Sequence, residues 1–241
     1  NDHFYYKIMK ILQLYLNDIK ELITSFELFD IFKSNKKILL FLINSELIKV
    51  DKNIVIKIIN NKYKASKYPQ FFYKEIDQYL DNDQKSLFNP HIDENFEEKR
   101  QIGENDSYVS ELIRIDMIEE FIVHVNKTGL SLKTKIKPSI FETNQFLIDN
   151  DEPSLIEYAA FFGSIQIFQY LHKVQLTSSL WNFAIHGCKS EIIHILEDNH
   201  IDPPIKSNYS NDDDEEEDED EEKNNKYREC LKESILCHHN D

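Results

Sequence analysis

A chain of 241 residues with 41% apolar side chains and abundant Phe and Tyr has ample material for a packed core, which excludes a wholly disordered polymer. It contains only four glycines (Gly103, Gly129, Gly163, Gly187), too few for phosphate-cradling loops or a turn-rich sheet, so an all-α chain is expected. The formal charge is −16, but eleven of the negatives form one block from Asp212 to Glu222 and the rest carries only −5; without clustered Lys and Arg, no nucleic-acid partner is expected.

The first third reads as successive helices. Phe4, Ile8, Ile11, Leu12, Tyr15, Leu16, Ile19 and Ile23 recur at three- and four-residue spacings, which predicts one amphipathic helix over 4–23. Further helices are expected over 36–48, 52–60 and 70–80, the last entered through Pro69, where a missing N–H is harmless. These define an N-terminal helical region over 1–88. The polar stretch 89–106 reads as a linker or a loosely ordered connection.

Self-comparison of the remainder reveals a repeat. Residues 154–171 (SLIEYAAFFGSIQIFQYL) lie on 179–196 (SLWNFAIHGCKSEIIHIL) at a shift of 25, with Ser154/Ser179, Leu155/Leu180, Ala159/Ala184, Ile167/Ile192 and Leu171/Leu196 identical. Each copy offers a serine to cap a first helix, an alanine that permits close approach, and a second apolar-faced helix. Gly163 stands where the chain leaves the first helix, a position that often requires the left-handed conformation. The expected division of 107–241 is a degenerate unit over 107–150, clear units over 151–175 and 176–201, an acidic insertion over 205–225 and a partial unit over 226–241. Met117 to Val125 reads as the second helix of the degenerate unit, and Tyr227 to Ile235 as the first helix of the partial one. Because the chain begins with Asn and stops within that partial unit, it is expected to be a fragment.

At these positions the chain resembles the ankyrin-repeat family, whose loose pattern T-P-L-H-x-A-A-x-x-G-H-x-E-I-V-x-x-L is matched by Ser154, Ile156, Ala159, Ala160, Gly163, Gln166, Ile167, Phe168 and Leu171. The second copy matches through Ser179, Trp181, Ala184, Ile185, Glu191, Ile192, Ile193 and Leu196, but carries Cys188 at the glycine position and Gly187 one residue early. With the run 136–144 (IKPSIFETN), it is similar more narrowly to the divergent ankyrin proteins expanded in parasitic protists, trichomonads especially, in which a helical region precedes the repeats. The resemblance implies an all-α chain with a short helix-pair solenoid after an N-terminal helical region. It also implies protein recognition through a concave helix face, without catalysis. The family period is about 33 residues; the shorter shift here removes much of the β-turn finger at 172–178, so the concave face is favoured. By that pattern the partner-binding residues are Tyr158, Phe161, Phe162, Phe183 and His186, with packing into a neighbouring unit as the bland reading of Phe161 and Phe162. The alternative function is a regulatory or targeting segment of a larger protein whose enzymatic part lies elsewhere.

Other features are read against that background. Cys230, Cys237, His238 and His239, with His186, Cys188 and His194, supply metal-ligand types. They lack the close Cys-x-x-Cys or His-x-x-x-His pairing of a zinc site, so no metal or cofactor is expected and the cysteines are read as small core hydrophobes. The block Asp212 to Glu222 repels itself and reads as a disordered insertion that a basic partner could dock. No nucleotide-binding, hydrolase or metalloprotease motif occurs, and no enzyme is expected. Three cysteines without a dense framework suit a cytoplasmic setting, and the longest apolar run, Ile38 to Ile43, is too short to cross a membrane.

Overall fold

The computed structural model describes residues 2–60, 67–90, 92–150, 152–173, 176–204 and 227–237. Among them the chain is all-α, with no strand beyond an isolated antiparallel bridge between Lys135 and Ser154. In chain order the first helices are α1 (Asp2–Leu14), α2 (Leu16–Leu22), α3 (Ser25–Phe32), α4 (Lys36–Asn44), α5 (Lys52–Ile59), α6 (Tyr68–Phe71), α7 (Tyr73–Ile76), α8 (Asn82–Phe88) and α9 (Phe96–Ile102). They are followed by α10 (Tyr108–Arg114), α11 (Ile118–Thr128), α12 (Gln145–Asp149), α13 (Leu155–Phe162), α14 (Ile165–Leu171), α15 (Ser179–His186), α16 (Ser190–Asp198) and α17 (Arg228–Leu236). No described helix is long and apolar enough to cross a membrane. The acidic block, His238 and His239 lie outside the described residues.

The chain forms two compact units, one of residues 1–106 and 137–151, the other of 107–136 and 152–241. In the first, the helix expected over 4–23 breaks at Tyr15 (φ −111°, ψ 24°) into α1 and α2. Ile8, Leu12, Leu16, Ile19 and Ile23 pack on the core, whereas Ile11 and Tyr15 are exposed. Thr24 and Glu27 close a capping box at the start of α3, and the Asn35 and Asp51 side chains accept from the first-turn amides of α4 and α5. Helix α4 is apolar almost all round, and Ile38, Leu39, Leu40 and Leu42 are buried on its successive faces. Left-handed Glu46 (φ 55°) follows it, earlier than the expected end at 48. The helix expected over 70–80 is instead α6, α7 and a 3₁₀ turn, Asp77–Tyr79, around fully buried Phe71, Phe72 and Ile76.

Residues 89–106 are not a linker. They contain α9, whose Phe96 and Arg100, one turn apart on the same face, are buried in the first unit. Arg100 donates to Glu75 at 2.8 Å and to Glu97 at 3.3 Å, and its guanidinium lies 5.2 Å from the Phe71 ring and 5.6 Å from that of Phe96. A desolvated guanidinium needs such partners; Phe96 and Glu97 come from its own helix, Phe71 and Glu75 from α6 and α7.

Nor does the degenerate unit extend to 150, because residues 137–150 belong to the first unit. Their backbone serves as a set of acceptors for polar side chains. Lys67 donates to the Pro138 carbonyl at 2.8 Å, Asn105 to that of Lys137 at 2.8 Å, and Lys36 to those of Ile140 at 3.2 Å and Glu142 at 2.9 Å. Thr143 donates through both its amide and its hydroxyl to the Gly103 carbonyl. Removal from water pulls the Lys36 ammonium down to about 7 and pushes the Glu142 carboxyl up to about 7.

In the second unit, α10 packs on α11, α13 on α14 and α15 on α16; α13 also touches α10 and α15, and α17 packs on α15. Each first helix ends in the same corner. A left-handed residue follows (Asp116, φ 53°; Gly163, φ 70°; Cys188, φ 56°), and the next amide bonds back five residues, Met117 to Leu112, Ser164 to Ala159 and Lys189 to Ala184. Phe121 and Val125 of α11, Ile167, Phe168 and Leu171 of α14, and Ile192 and Leu196 of α16 are the buried residues of the second helices.

Candidate functional site

The corners explain how the second unit positions its side chains. Ser154 caps α13 in a full capping box with Glu157, whose carboxylate accepts from the Ser154 amide at 2.8 Å and its hydroxyl at 2.7 Å. The other Glu157 oxygen accepts from Ser179 at 2.7 Å, so Ser179 ties α15 to α13 rather than capping its own helix. Asp116 reaches from the first corner to the start of α14, accepting from the Gln166 and Ile167 amides, each at 3.0 Å. Ser164, fully buried, donates to the Ile113 carbonyl.

The second corner also resolves the shifted glycine. Gly187 has an ordinary right-handed backbone, φ −84° and ψ −8°, and Cys188 occupies the left-handed position. A Cβ on Gly187 would lie 1.9 Å from the Phe161 carbonyl oxygen. One requirement is for positive φ and the other for empty space, and adjacent residues meet them.

Three of the five expected partner-binding residues are not on the surface. Tyr158, Phe161 and Phe183 are 1%, 7% and 3% exposed. The octapeptide of α13, Leu-Ile-Glu-Tyr-Ala-Ala-Phe-Phe, is apolar but for Glu157, and helices α10, α14 and α15 pack against it. Arg114 donates to the Tyr158 hydroxyl at 3.2 Å, and the Tyr158 and Phe162 rings lie 4.8 Å apart. Phe162 and His186 are half-buried.

A pocket of about 240 Å³ opens beside this helix, lined by residues that include Lys133, Lys135, Ser154, Glu157, Thr177 and Ser179. Its hydroxyls and carboxylate already bond one another, Thr177 to Ser179 at 2.8 Å and both serines to Glu157. That arrangement holds neighbouring helices together and offers no activated nucleophile.

A second group of polar residues has a different character. His186 Nε2 lies 2.6 Å from Glu233 Oε1, and these two atoms and the Cys237 sulfur all lie within 4.8 Å of one another. Cys237 is buried, and the His186 and Glu233 side chains are 15% and 26% exposed. Burial first, then the charge of Glu233 and the neighbouring Cys188, push the Cys237 thiol up to about 12. His186, Cys188 and Cys237 stand out in the sequence as ligand types; Glu233 does not. The signal was its spacing of four from Cys237 on one helical face, which carries weight only once α17 is seen to pack on α15. The other candidates stand apart: His194 is exposed beside Glu197 at 3.2 Å, and Cys230 is half-buried outside the cluster.

Comparison with protein-family models, curated proteins and solved structures yields no match for this chain.

Proposed function

We propose that the chain is a non-catalytic protein-binding module of ankyrin-like build, with α10/α11, α13/α14 and α15/α16 as successive helix pairs and α17 as the first helix of another. The observation that supports this reading is the packing order of the second unit, α10 on α11, α13 on α14 and α15 on α16, with α13 between α10 and α15 and α17 on α15. A helix pair of this size cannot bury its own apolar faces, and stacking is the way such units acquire a common core. The 25 residues from Gly163 to Cys188 fall short of the ankyrin period of about 33, so little chain is left for a projecting finger.

With Tyr158, Phe161 and Phe183 in the core, the binding face moves to α17. Tyr227, Leu231 and Ile235 recur every four residues along it and are 45%, 62% and 54% exposed. Such a stripe suits an apolar protein surface and has no attraction for a phosphate backbone. On cysteine usage the module is placed in the cytoplasm.

The test is affinity capture from lysate of the source cell with the full chain and with a Leu231→Asp/Ile235→Asp variant of matched unfolding midpoint. Proteins retained by the first and lost by the second are expected. Equal capture by both would refute the assignment of this face.

A further inference from the structure

The group formed by His186, Glu233 and Cys237 combines an imidazole nitrogen, a carboxylate oxygen and a thiol, brought together from two helices that lie far apart in sequence. These are the three protein donor types that Zn²⁺ accepts, and a mixed N/O/S set favours it over Mg²⁺ or Ca²⁺, which take oxygen. A tetrahedral zinc with bonds of about 2.0–2.3 Å holds its donors roughly 3.3–3.8 Å apart. The donors here span 2.6 Å for the closest pair to no more than 4.8 Å, so an ion is accommodated once the His186–Glu233 hydrogen bond opens by about 1 Å.

The surroundings support a built site. His186 is the last residue of α15, and the next two residues form the corner at which left-handed Cys188 is exposed. Glu233 and Cys237 lie four apart at the end of α17, the helix that packs on α15. A hydrogen-bonded His–Glu pair would by itself hold two helices together. The Cys237 sulfur, within 4.8 Å of both partners, adds a third donor at the same point.

We infer that His186, Glu233 and Cys237 form a zinc site that clamps α17 to α15, with water as the fourth ligand. On binding, the Cys237 proton is lost to solvent as a sulfur–zinc bond forms, His186 binds as the neutral imidazole, and the carboxylate exchanges its hydrogen bond for the cation. The dication balances the charges of the Glu233 carboxylate and the Cys237 thiolate. The binding energy is realised only when α17 is docked, so metal stabilises that helix in place.

The experiment is a Co²⁺ titration of the full reduced chain, followed by the sulfur-to-cobalt charge-transfer absorption, with competition by Zn²⁺. Stoichiometric binding, displacement by Zn²⁺ and protection of α17 from limited proteolysis on Zn²⁺ addition are expected. Cys237→Ser should abolish the charge-transfer absorption of that sulfur, and His186→Gln and Glu233→Gln should each weaken binding by about 100-fold, at least the loss seen when an outer-shell partner is removed. Cys188→Ser, at an exposed position outside the cluster, should leave binding unchanged. Absence of the absorption in the native chain overturns the proposal, whether or not any variant folds. So does an affinity that His186→Gln and Glu233→Gln leave unchanged, because the metal would then be bound elsewhere.

Discussion

Replacing Gly187 by Ala adds one methyl group and no backbone strain, since φ −84° and ψ −8° suit any residue. The new carbon would stand 1.9 Å from the Phe161 carbonyl oxygen and 2.8 Å from its carbon, whereas contacts under 3.0 Å are essentially never tolerated. The end of α15 must therefore retreat from α13 by about 1.1 Å, against the corner bonds from Cys188 to Ile185 and from Lys189 to Ala184. Overpacking of this kind costs typically 1–3 kcal/mol, and a rigid backbone neighbour places it near the top, about 3 kcal/mol. For a chain of this size that is roughly 6–12 °C in Tm. Trp181, the sole tryptophan, is 3% exposed in α15 and donates to the Ile201 carbonyl at 2.9 Å, so its fluorescence in a urea or thermal melt reads the second unit selectively. Gly129→Ala supplies the control: its φ is +66° but nothing lies within 4 Å, so only left-handed strain of about 1 kcal/mol is expected. If Gly187→Ala melts no lower than the native chain, or no lower than Gly129→Ala, the close approach is wrong.

Two other perturbations test different parts of the chain. Asp116→Ala removes the acceptor of two amides and places alanine at φ 53°, so a loss of about 1–2 kcal/mol is expected at Trp181; Asp116→Asn, which tolerates that backbone and keeps one acceptor, should lose less, and equal losses would refute the capping role. Glu142, raised from 4.5 to about 7, contributes stability that is fully present below pH 4.5 and lost by about pH 7. Lys36, lowered from 10.5 to about 7, contributes stability that is present above pH 10.5 and lost as pH falls to about 7. The pair thus gives a minimum near neutrality, and the lysine arm alone spans on the order of 5 kcal/mol. Urea midpoints of the first unit across pH should show the alkaline rise in the native chain and not in Lys36→Met; parallel profiles would refute it.

What the sequence disclosed and what it concealed divide along a physical line. The helix ends around the corners were legible in part because they rest on local chemistry: Ser154 as a cap, Gly163 at a left-handed exit, and the 25-residue shift that brings Cys188 onto the same position, whereas Ser179, expected to cap α15, bonds Glu157 instead. The buried Arg100 was hidden because its acceptor Glu75 lies on another helix, and a polar average over 89–106 outweighs the single pair Phe96 and Arg100. Tyr158, Phe161 and Phe183 were assigned outward by a family template, although the composition of α13, apolar but for Glu157, already indicated burial. Glu233 was invisible for the same reason as Glu75, since a carboxylate acquires significance only from what faces it.

The order in which the chain leaves the ribosome sets a constraint on the first unit. Lys36 is synthesised about a hundred residues before its acceptors, the carbonyls of Ile140 and Glu142, and the whole of α10 and α11 emerges in between. Until residue 143 is available, the nascent helical region exposes an ammonium destined for the interior and leaves Asn105 and Lys67 facing water. Cutting after residue 106 would reproduce that unfinished state permanently. The first unit therefore cannot be completed by residues 1–106 alone, because it also needs 137–151, which are synthesised after α10 and α11.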